Sequence, residues 1–105
     1  MPRRRRDLQR PVMPDGVRQL VVFGTARNAD RRLRDPDASP HHCALMLMDD
    51  GRVFVTDLGS ANGTWLRQPG GRSERVLGQV EVKPGDVLTI GRTPIPWIPL
   101  EESTP

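Results

Sequence analysis

The chain has 105 residues, which is enough for one small domain with a core of its own and too few for two. Its single cysteine, Cys43, excludes an internal disulfide framework and predicts a reducing, cytoplasmic location, and its longest apolar run, residues 43–48, is too short to cross a bilayer. The net charge of +3 conceals a division, because residues 1–34 hold ten arginines and three aspartates (+7), whereas residues 35–105 hold six basic and ten acidic side chains (−4).

The first 16 residues carry much of the positive charge and three prolines. A run of arginines repels itself and proline opposes regular structure, so we expect a basic, poorly ordered arm over residues 1–16. The arm begins like the charged region of a signal peptide, but no apolar stretch follows it. We expect a folded domain over 17–100 and a short tail over 101–105. Weak, non-specific attraction of polyanions is expected at four arginines of the arm, Arg3, Arg4, Arg5 and Arg6.

Short strand-like segments alternate with turn signals from residue 17 onward. In chain order they are VRQLVVF (17–23), RRLRD (31–35), CALMLM (43–48), RVFVTDL (52–58), TWL (64–66), RVL (75–77), QVEV (79–82), VLTIG (87–91) and IPWIPL (95–100). Asp50 and Gly51 predict a two-residue hairpin turn, KPGD at 83–86 predicts a second turn, and RQPGGRSE at 67–74 predicts an irregular insertion. No window has helical spacing, so the sequence predicts an all-β, two-sheet antiparallel sandwich whose loops at one end offer the natural binding surface.

Three features at fixed distances resemble the forkhead-associated (FHA) family, whose signature is Gly-Arg, Ser-x-x-His and Asn-Gly-Thr. A strand ends at Gly24, Ser39 follows fifteen residues later with His42 three residues beyond it, and a hairpin then leads to DLGSANGT at 57–64. The segment KPGDVLTIG at 83–91 also resembles the end of that family, so the resemblance covers about residues 17–98. It implies an FHA-like sandwich, of the SMAD/FHA type, that binds phosphothreonine segments downstream of a serine/threonine kinase, with no catalysis, metal or cofactor, as a monomer.

The resemblance also implies a role for individual residues. Ser39 matches the serine that donates its hydroxyl to the phosphate, and Asn62 matches the asparagine whose amide pairs with the main chain of the bound peptide. Ser60 and Ala61 are placed along the phosphothreonine pocket. Without the resemblance, Ser39 reads as a turn serine and Asn62 as part of an Asn-Gly hairpin turn. The positions that shape the loops are Gly24, His42, Gly63 and Thr64.

The main departure from the family pattern is Thr25, which stands where the family has the arginine of Gly-Arg, and Pro40 and His41 also stand where a basic residue often follows the serine. A threonine hydroxyl is retained as a candidate contact, but it cannot replace the permanent charge and bidentate fork of a guanidinium. Arg27, in the same loop, is the preferred substitute. Arg31 and Arg32 are alternatives that cannot both serve, because neighbouring residues in a strand point to opposite faces.

Three other functions remain open at this stage. A degenerate FHA domain would bind an unphosphorylated protein partner. A nucleic-acid binder would use the basic arm. The aromatic residues that could stack on bases are few, namely Phe23, Phe54, Trp65 and Trp97, and both tryptophans are expected in the core.

An enzyme or metal site is the least favoured alternative. His41, His42 and Cys43 are consecutive and would alternate faces in a strand, so they lack the spacing of metal ligands. Ser39, His42 and Asp57 could form a triad on paper, but no nucleophile elbow or oxyanion site accompanies them.

Overall fold

The computed structural model describes residues 16–96, and it contains nine strands in two sheets. They are β1 (Val17–Gly24), β2 (Arg31–Arg32), β3 (Cys43–Met48), β4 (Val53–Asp57), β5 (Thr64–Arg67), β6 (Ser73–Arg75), β7 (Gln79–Val82), β8 (Val87–Ile90) and β9 (Thr93–Pro96). One sheet has the order β2-β1-β3-β4-β7 and the other β6-β5-β8-β9. Neighbouring strands are antiparallel apart from the short β1–β2 pair. The predicted all-β sandwich is therefore confirmed, while most of the predicted arm, the tail and Trp97 lie outside the described residues.

The core is built from alternate residues of the central strands. In β3, Cys43, Leu45 and Leu47 point between the sheets, where they meet Val55 of β4 and Ile90 of β8. Burying each of these large aliphatic side chains contributes about 1.5–3 kcal/mol to the free energy of folding. Other core side chains come from β1 and from the second sheet and its connections, among them Val21, Phe23, Leu66, Val76, Val82 and Leu88.

The Cys43 thiol is fully enclosed by this core. Burial raises its pKa to about 12, so the sulfur is a protonated, neutral group at ordinary pH. A thiol in this state is neither a nucleophile nor a ready metal ligand.

No helix in the described part of the chain is long and apolar enough to cross a membrane.

Three local predictions are wrong, each for a geometric reason. The β3–β4 turn has three residues, 49–51, rather than two, because the Met48 N–H bonds to the Arg52 carbonyl and the Gly51 N–H to the Met48 carbonyl. Gly51, with a left-handed φ of 91°, is the extra residue before Arg52. The expected irregular insertion contains most of β6, whose residues pair with β5 across the tight turn at 68–72. The expected strand at 31–35 is also shorter, since only its first two residues form β2.

Strand register brings four connections to one end of the sandwich. Phe23 at the end of β1 lies opposite Cys43, Cys43 lies opposite Asp57 at the end of β4, and Thr64 at the start of β5 lies opposite Ile90. The connections at this end are residues 25–30, 33–42, 58–63 and 91–92, and together they are called the loop end.

Candidate functional site

His42 joins two of the loops at the loop end. Its Nδ1 accepts a hydrogen bond from the Ser39 backbone N–H at 3.0 Å, so the ring proton is on Nε2, which donates to the Gly63 carbonyl at 2.8 Å. The side chain is fully buried. Because both ring nitrogens are occupied by backbone groups, His42 fixes the shape of the Ser39 loop against the 58–63 loop.

Ser39 is held with its hydroxyl proton available. The Ala61 backbone N–H donates to Ser39 Oγ at 3.1 Å, and within residues 16–96 the hydroxyl donates to no acceptor. The side chain is half-buried rather than enclosed. A hydroxyl that already accepts one bond and still has its proton is well placed to donate to an anion.

The carboxylate of Asp57 organises the 58–63 loop. It accepts hydrogen bonds from the backbone amides of Gly59 and Ser60, each at 2.9 Å, and from the hydroxyls of Ser60 at 2.6 Å and Thr64 at 2.7 Å. Ser60 Oγ also accepts from the Gly63 N–H at 2.9 Å. Ser60, expected along the pocket, is therefore buried and engaged in forming the loop, as is Thr64, whereas Ala61 is exposed.

Opposing effects act on the pKa of Asp57. Burial by itself raises the pKa of this carboxyl, but the hydroxyls of Ser60 and Thr64 and the amides of Ser60 and Gly59 stabilise the ionised form more, so the pKa lies below the ordinary value. The charged carboxylate is thus the form that holds the loop together.

Acid should therefore weaken the fold through Asp57. Because its pKa is lower in the folded chain than in the unfolded one, where an aspartate titrates near about 3.9, its stabilisation is complete above that value and is lost as the pH falls through the folded-state pKa. We expect the urea midpoint of unfolding to fall between about pH 5 and about pH 3. The fall should be smaller in Asp57→Asn, which cannot titrate, and an equal fall in both proteins would contradict the assignment.

The side chains at the loop end are not arranged as a catalytic triad or as a set of metal ligands. His42 directs Nδ1 to the Ser39 amide rather than to its hydroxyl, and the Asp57 carboxylate is committed to its own loop, so no triad is formed. His41 is exposed and its Nε2 pairs with Asn28 Oδ1 at 2.8 Å, away from the buried Cys43. Among residues 16–96, no three histidine, cysteine or acidic side chains converge as metal ligands.

Asn62 lies exposed at the tip of the 58–63 loop. Its side-chain Nδ2 donates one hydrogen bond to the Asp37 carbonyl at 2.8 Å, which leaves a second N–H and the Oδ1 acceptor for another chain. The Trp65 indole N–H donates to the Asn62 carbonyl at 3.2 Å. Trp65, expected in the core, is only half-buried and supports this loop. Gly63 follows in a left-handed conformation, with φ of 84°.

Asp35 is a residue of the loop end that the sequence did not identify. Its carboxylate accepts hydrogen bonds from the Arg92 amide and the Thr93 hydroxyl, both at 2.7 Å, and from the Asp37 amide at 2.8 Å. The Thr93 hydroxyl and these two amides lower the pKa of Asp35. The 33–42 loop is thereby tied to the β8–β9 turn of the other sheet, and an ion pair between Arg92 and Asp37 adds a second tie.

The loop after β1 runs directly alongside the Ser39 loop. The Thr25 N–H donates to the Ser39 carbonyl and the Ala26 N–H to the Pro40 carbonyl, each at 3.1 Å. A Cβ on Gly24 would lie 1.8 Å from the Pro40 oxygen, so the two backbones approach each other at a distance that only glycine permits.

The arginines around Thr25 are arranged differently from the prediction. Arg32 directs its guanidinium to Thr25, where Nε donates to the carbonyl at 3.1 Å. Arg27, the preferred substitute, is exposed, and its side chain has no partner in the described chain. The contact with Arg32 could not be read from spacing, because it depends on the parallel pairing of the two-residue β2 with the end of β1.

The sequence matches one protein family. The family model for the FHA domain matches residues 21–91. The FHA domain-containing protein PS1 of Arabidopsis thaliana is 35% identical over 92 residues, which is 83% of this chain and 6% of that protein. The chain thus spans only a small part of the length of this relative.

Solved structures give the same fold. The FHA domain of the CT664 protein from Chlamydia trachomatis superimposes with a TM-score of 0.64 at 24% identity, over 82% of this chain and 83% of that one. The N-terminal FHA domain of Saccharomyces cerevisiae Rad53p, in complex with a phosphothreonine peptide, gives a TM-score of 0.62 at 26% identity, over 75% of this chain and 61% of that one.

Proposed function

Since the chain belongs to the FHA domain family, which comprises protein-interaction modules, we propose that its loop end binds phosphothreonine-containing segments of partner proteins. The observation that carries the proposal is the free hydroxyl proton of Ser39, on a side chain fixed by the Ala61 amide and by His42. The Rad53p domain, similar in fold, is solved with a phosphothreonine peptide, which supports the same class of ligand here. We further propose that the protein is a monomer located in the cytoplasm and that its partner is a serine/threonine kinase or a substrate of that kinase.

Two halves of the site divide the recognition. Ser39 donates to a phosphate oxygen, a charge-assisted bond that is stronger than one between neutral groups. Asn62 offers an amide N–H and Oδ1 to the main chain of an extended peptide, so that the backbone is recognised as well as the charge. Ala61 lies exposed between them and leaves room for the ligand.

Thr25 favours one competing function. A domain that lacks the arginine of Gly-Arg has lost a permanent charge at the phosphate half, and it could retain only the half that binds backbone. Such a degenerate domain would bind an unphosphorylated partner with the Asn62 loop. The two functions share the fold and differ in whether phosphate adds affinity.

A pair of matched peptides decides between them. We expect the full chain to bind a phosphothreonine peptide at least about 10-fold more tightly than the same peptide with threonine, since one or two charge-assisted bonds are worth about 1.5–3 kcal/mol each. The dissociation constants are measured by isothermal titration calorimetry. Equal affinity for both peptides would leave only the degenerate module.

The basic arm needs a control of its own. A variant with Arg3, Arg4, Arg5 and Arg6 changed to glutamine removes the non-specific attraction to polyanions, which falls steeply with salt. Discrimination by the loop end should survive in this variant and at raised salt. Discrimination that disappears with the four arginines would assign the phosphate preference to the arm instead.

A further inference from the structure

We infer that Arg32 supplies the cationic contact to phosphate that Thr25 cannot, so that the charge reaches the site from the neighbouring strand. The inference rests on the proposed function and names the residue that completes its phosphate half. It replaces the expectation that Arg27, in the same loop as Thr25, fills this role.

Strand pairing holds Arg32 beside the missing arginine's position. Arg32 is the pairing partner of Gly24 in the parallel β1–β2 ladder, and the next amide, that of Leu33, donates to the Gly24 carbonyl at 2.7 Å. The backbone of Arg32 is therefore fixed beside Gly24, the residue that precedes Thr25. From there its side chain reaches the Thr25 carbonyl, with Nε as the donor at 3.1 Å.

The hydrogen bond to Thr25 leaves the useful end of the guanidinium free. Only Nε is engaged, and the two terminal amino groups have no acceptor among residues 16–96. The Arg32 side chain is exposed, so its charge is accessible to a ligand. A planar fork anchored at Nε presents two parallel N–H donors, which suits two oxygens of one phosphate.

Thr25 also links this guanidinium to Ser39. The Thr25 N–H donates to the Ser39 carbonyl at 3.1 Å, while its own carbonyl receives Arg32 Nε. The guanidinium of Arg32 and the backbone of Ser39 therefore both contact Thr25, one at its carbonyl and the other at its N–H. A phosphate bound between them would receive a cation from one side and an O–H donor from the other.

Four other arginines near the loop end lack this arrangement. Arg27 is exposed and has no anchor in the described chain, so ordering its side chain on a phosphate costs about 2 kcal/mol of conformational entropy. Arg31 points to the opposite side of the strand from Arg32. Arg34 follows the end of β2 and is exposed, and Arg92 is already paired with Asp37.

Charge removal at matched positions tests the inference. Arg32→Gln, Arg27→Gln, Arg31→Gln and Arg34→Gln each remove one exposed arginine, and each is titrated with the phosphothreonine peptide and its threonine counterpart. We expect Arg32→Gln to reduce the ratio of the two affinities about 10-fold, which is the effect of one charge-assisted contact. The other three variants should change the ratio less than about 3-fold, because they retain the anchored fork.

A second substitution keeps the test independent of any loss of folding. Thr25→Arg restores the family's arginine, so Arg32→Gln should have little further effect in its presence, and the double variant should recover the affinity ratio. Arg32→Lys retains the charge but not the fork, and should recover only part of it.

The outcomes separate this inference from the proposed function. A wild-type ratio near one overturns both. A wild-type preference for phosphate that is lost in Arg27→Gln and kept in Arg32→Gln overturns the inference alone. Equal weakening of both peptides by Arg32→Gln would also overturn it, because Arg32 would then contact the peptide rather than its phosphate.

Discussion

Replacing Gly24 with alanine is expected to destabilise the domain by about 3 kcal/mol or more, the largest effect of any single methyl group at the loop end. The new Cβ would lie 1.8 Å from the Pro40 oxygen, 2.5 Å from the Pro40 carbonyl carbon and 3.0 Å from the His41 Cα. All three are backbone atoms, so no side-chain rotation can relieve the overlap. The Ser39 loop has to move away from β1.

The expected magnitude follows from the hydrogen bonds that this movement breaks. Thr25 N–H to Ser39, Ala26 N–H to Pro40, and His42 N–H to Phe23 all join the two segments. Each contributes about 1 kcal/mol net, so their joint loss accounts for about 3 kcal/mol before any strain is added. A domain of this size has about 5–15 kcal/mol in total.

Urea unfolding of Gly24→Ala beside Gly78→Ala measures the effect. Gly78 has a left-handed φ of 67° and open space around its Cα, so alanine there is expected to cost only about 1–2 kcal/mol of backbone strain. A loss in Gly24→Ala no larger than in Gly78→Ala would show that the close approach to Pro40 does not constrain the loop. Gly24→Ala should also bind the phosphopeptide more weakly than the wild type, because the overlap with Pro40 displaces the loop that carries Ser39.

Much of the fold is local information and could be predicted. The apolar runs that became β1, β3, β4 and β8 fix both the number of central strands and the faces they bury, because alternation and turn residues act over a few positions. Ser73 and Glu74 of β6 were expected in an insertion because they are exposed and polar, and only pairing with β5 makes them part of a strand. Edge strands of this kind carry little signal of their own.

The candidate site divides in the same way. Ser39, His42 and Asn62 could be located because their spacing follows a family signature, and the structure brings them to one end. Asp35 could not, because its partners Arg92 and Thr93 lie 57 and 58 residues away. Asp57 was visible in sequence, but nothing local indicated that four donors would meet its carboxylate.

Removal of the Ser39 hydroxyl should abolish most of the preference for phosphate while leaving binding of the unmodified peptide nearly unchanged. In Ser39→Ala the donor to the phosphate oxygen is lost, and we expect the phosphothreonine peptide to bind about 10- to 100-fold more weakly. The backbone N–H of Ser39 still reaches His42, so the loop keeps its shape apart from the lost acceptor for Ala61.

Asn62→Ala should behave in the opposite manner. Without its amide, both the phosphorylated and the unmodified peptide lose their main-chain contacts, so both affinities fall by about 10-fold while their ratio is preserved. Ser73→Ala, which alters an exposed residue of β6 opposite Arg67, away from the loop end, serves as the control and should match the wild type.

The contrast between the two variants tests whether the site has separable halves. If calorimetry shows that Ser39→Ala lowers both affinities equally, the serine supports the peptide rather than the phosphate. If Asn62→Ala reduces only the phosphothreonine affinity, its amide contacts phosphate and not the backbone. If the ratio of phosphothreonine to threonine affinity is lost in Ser39→Ala and kept in Asn62→Ala, the phosphate and the peptide backbone are recognised by different loops. His42 holds these two loops at a fixed separation through its hydrogen bonds to Ser39 and Gly63.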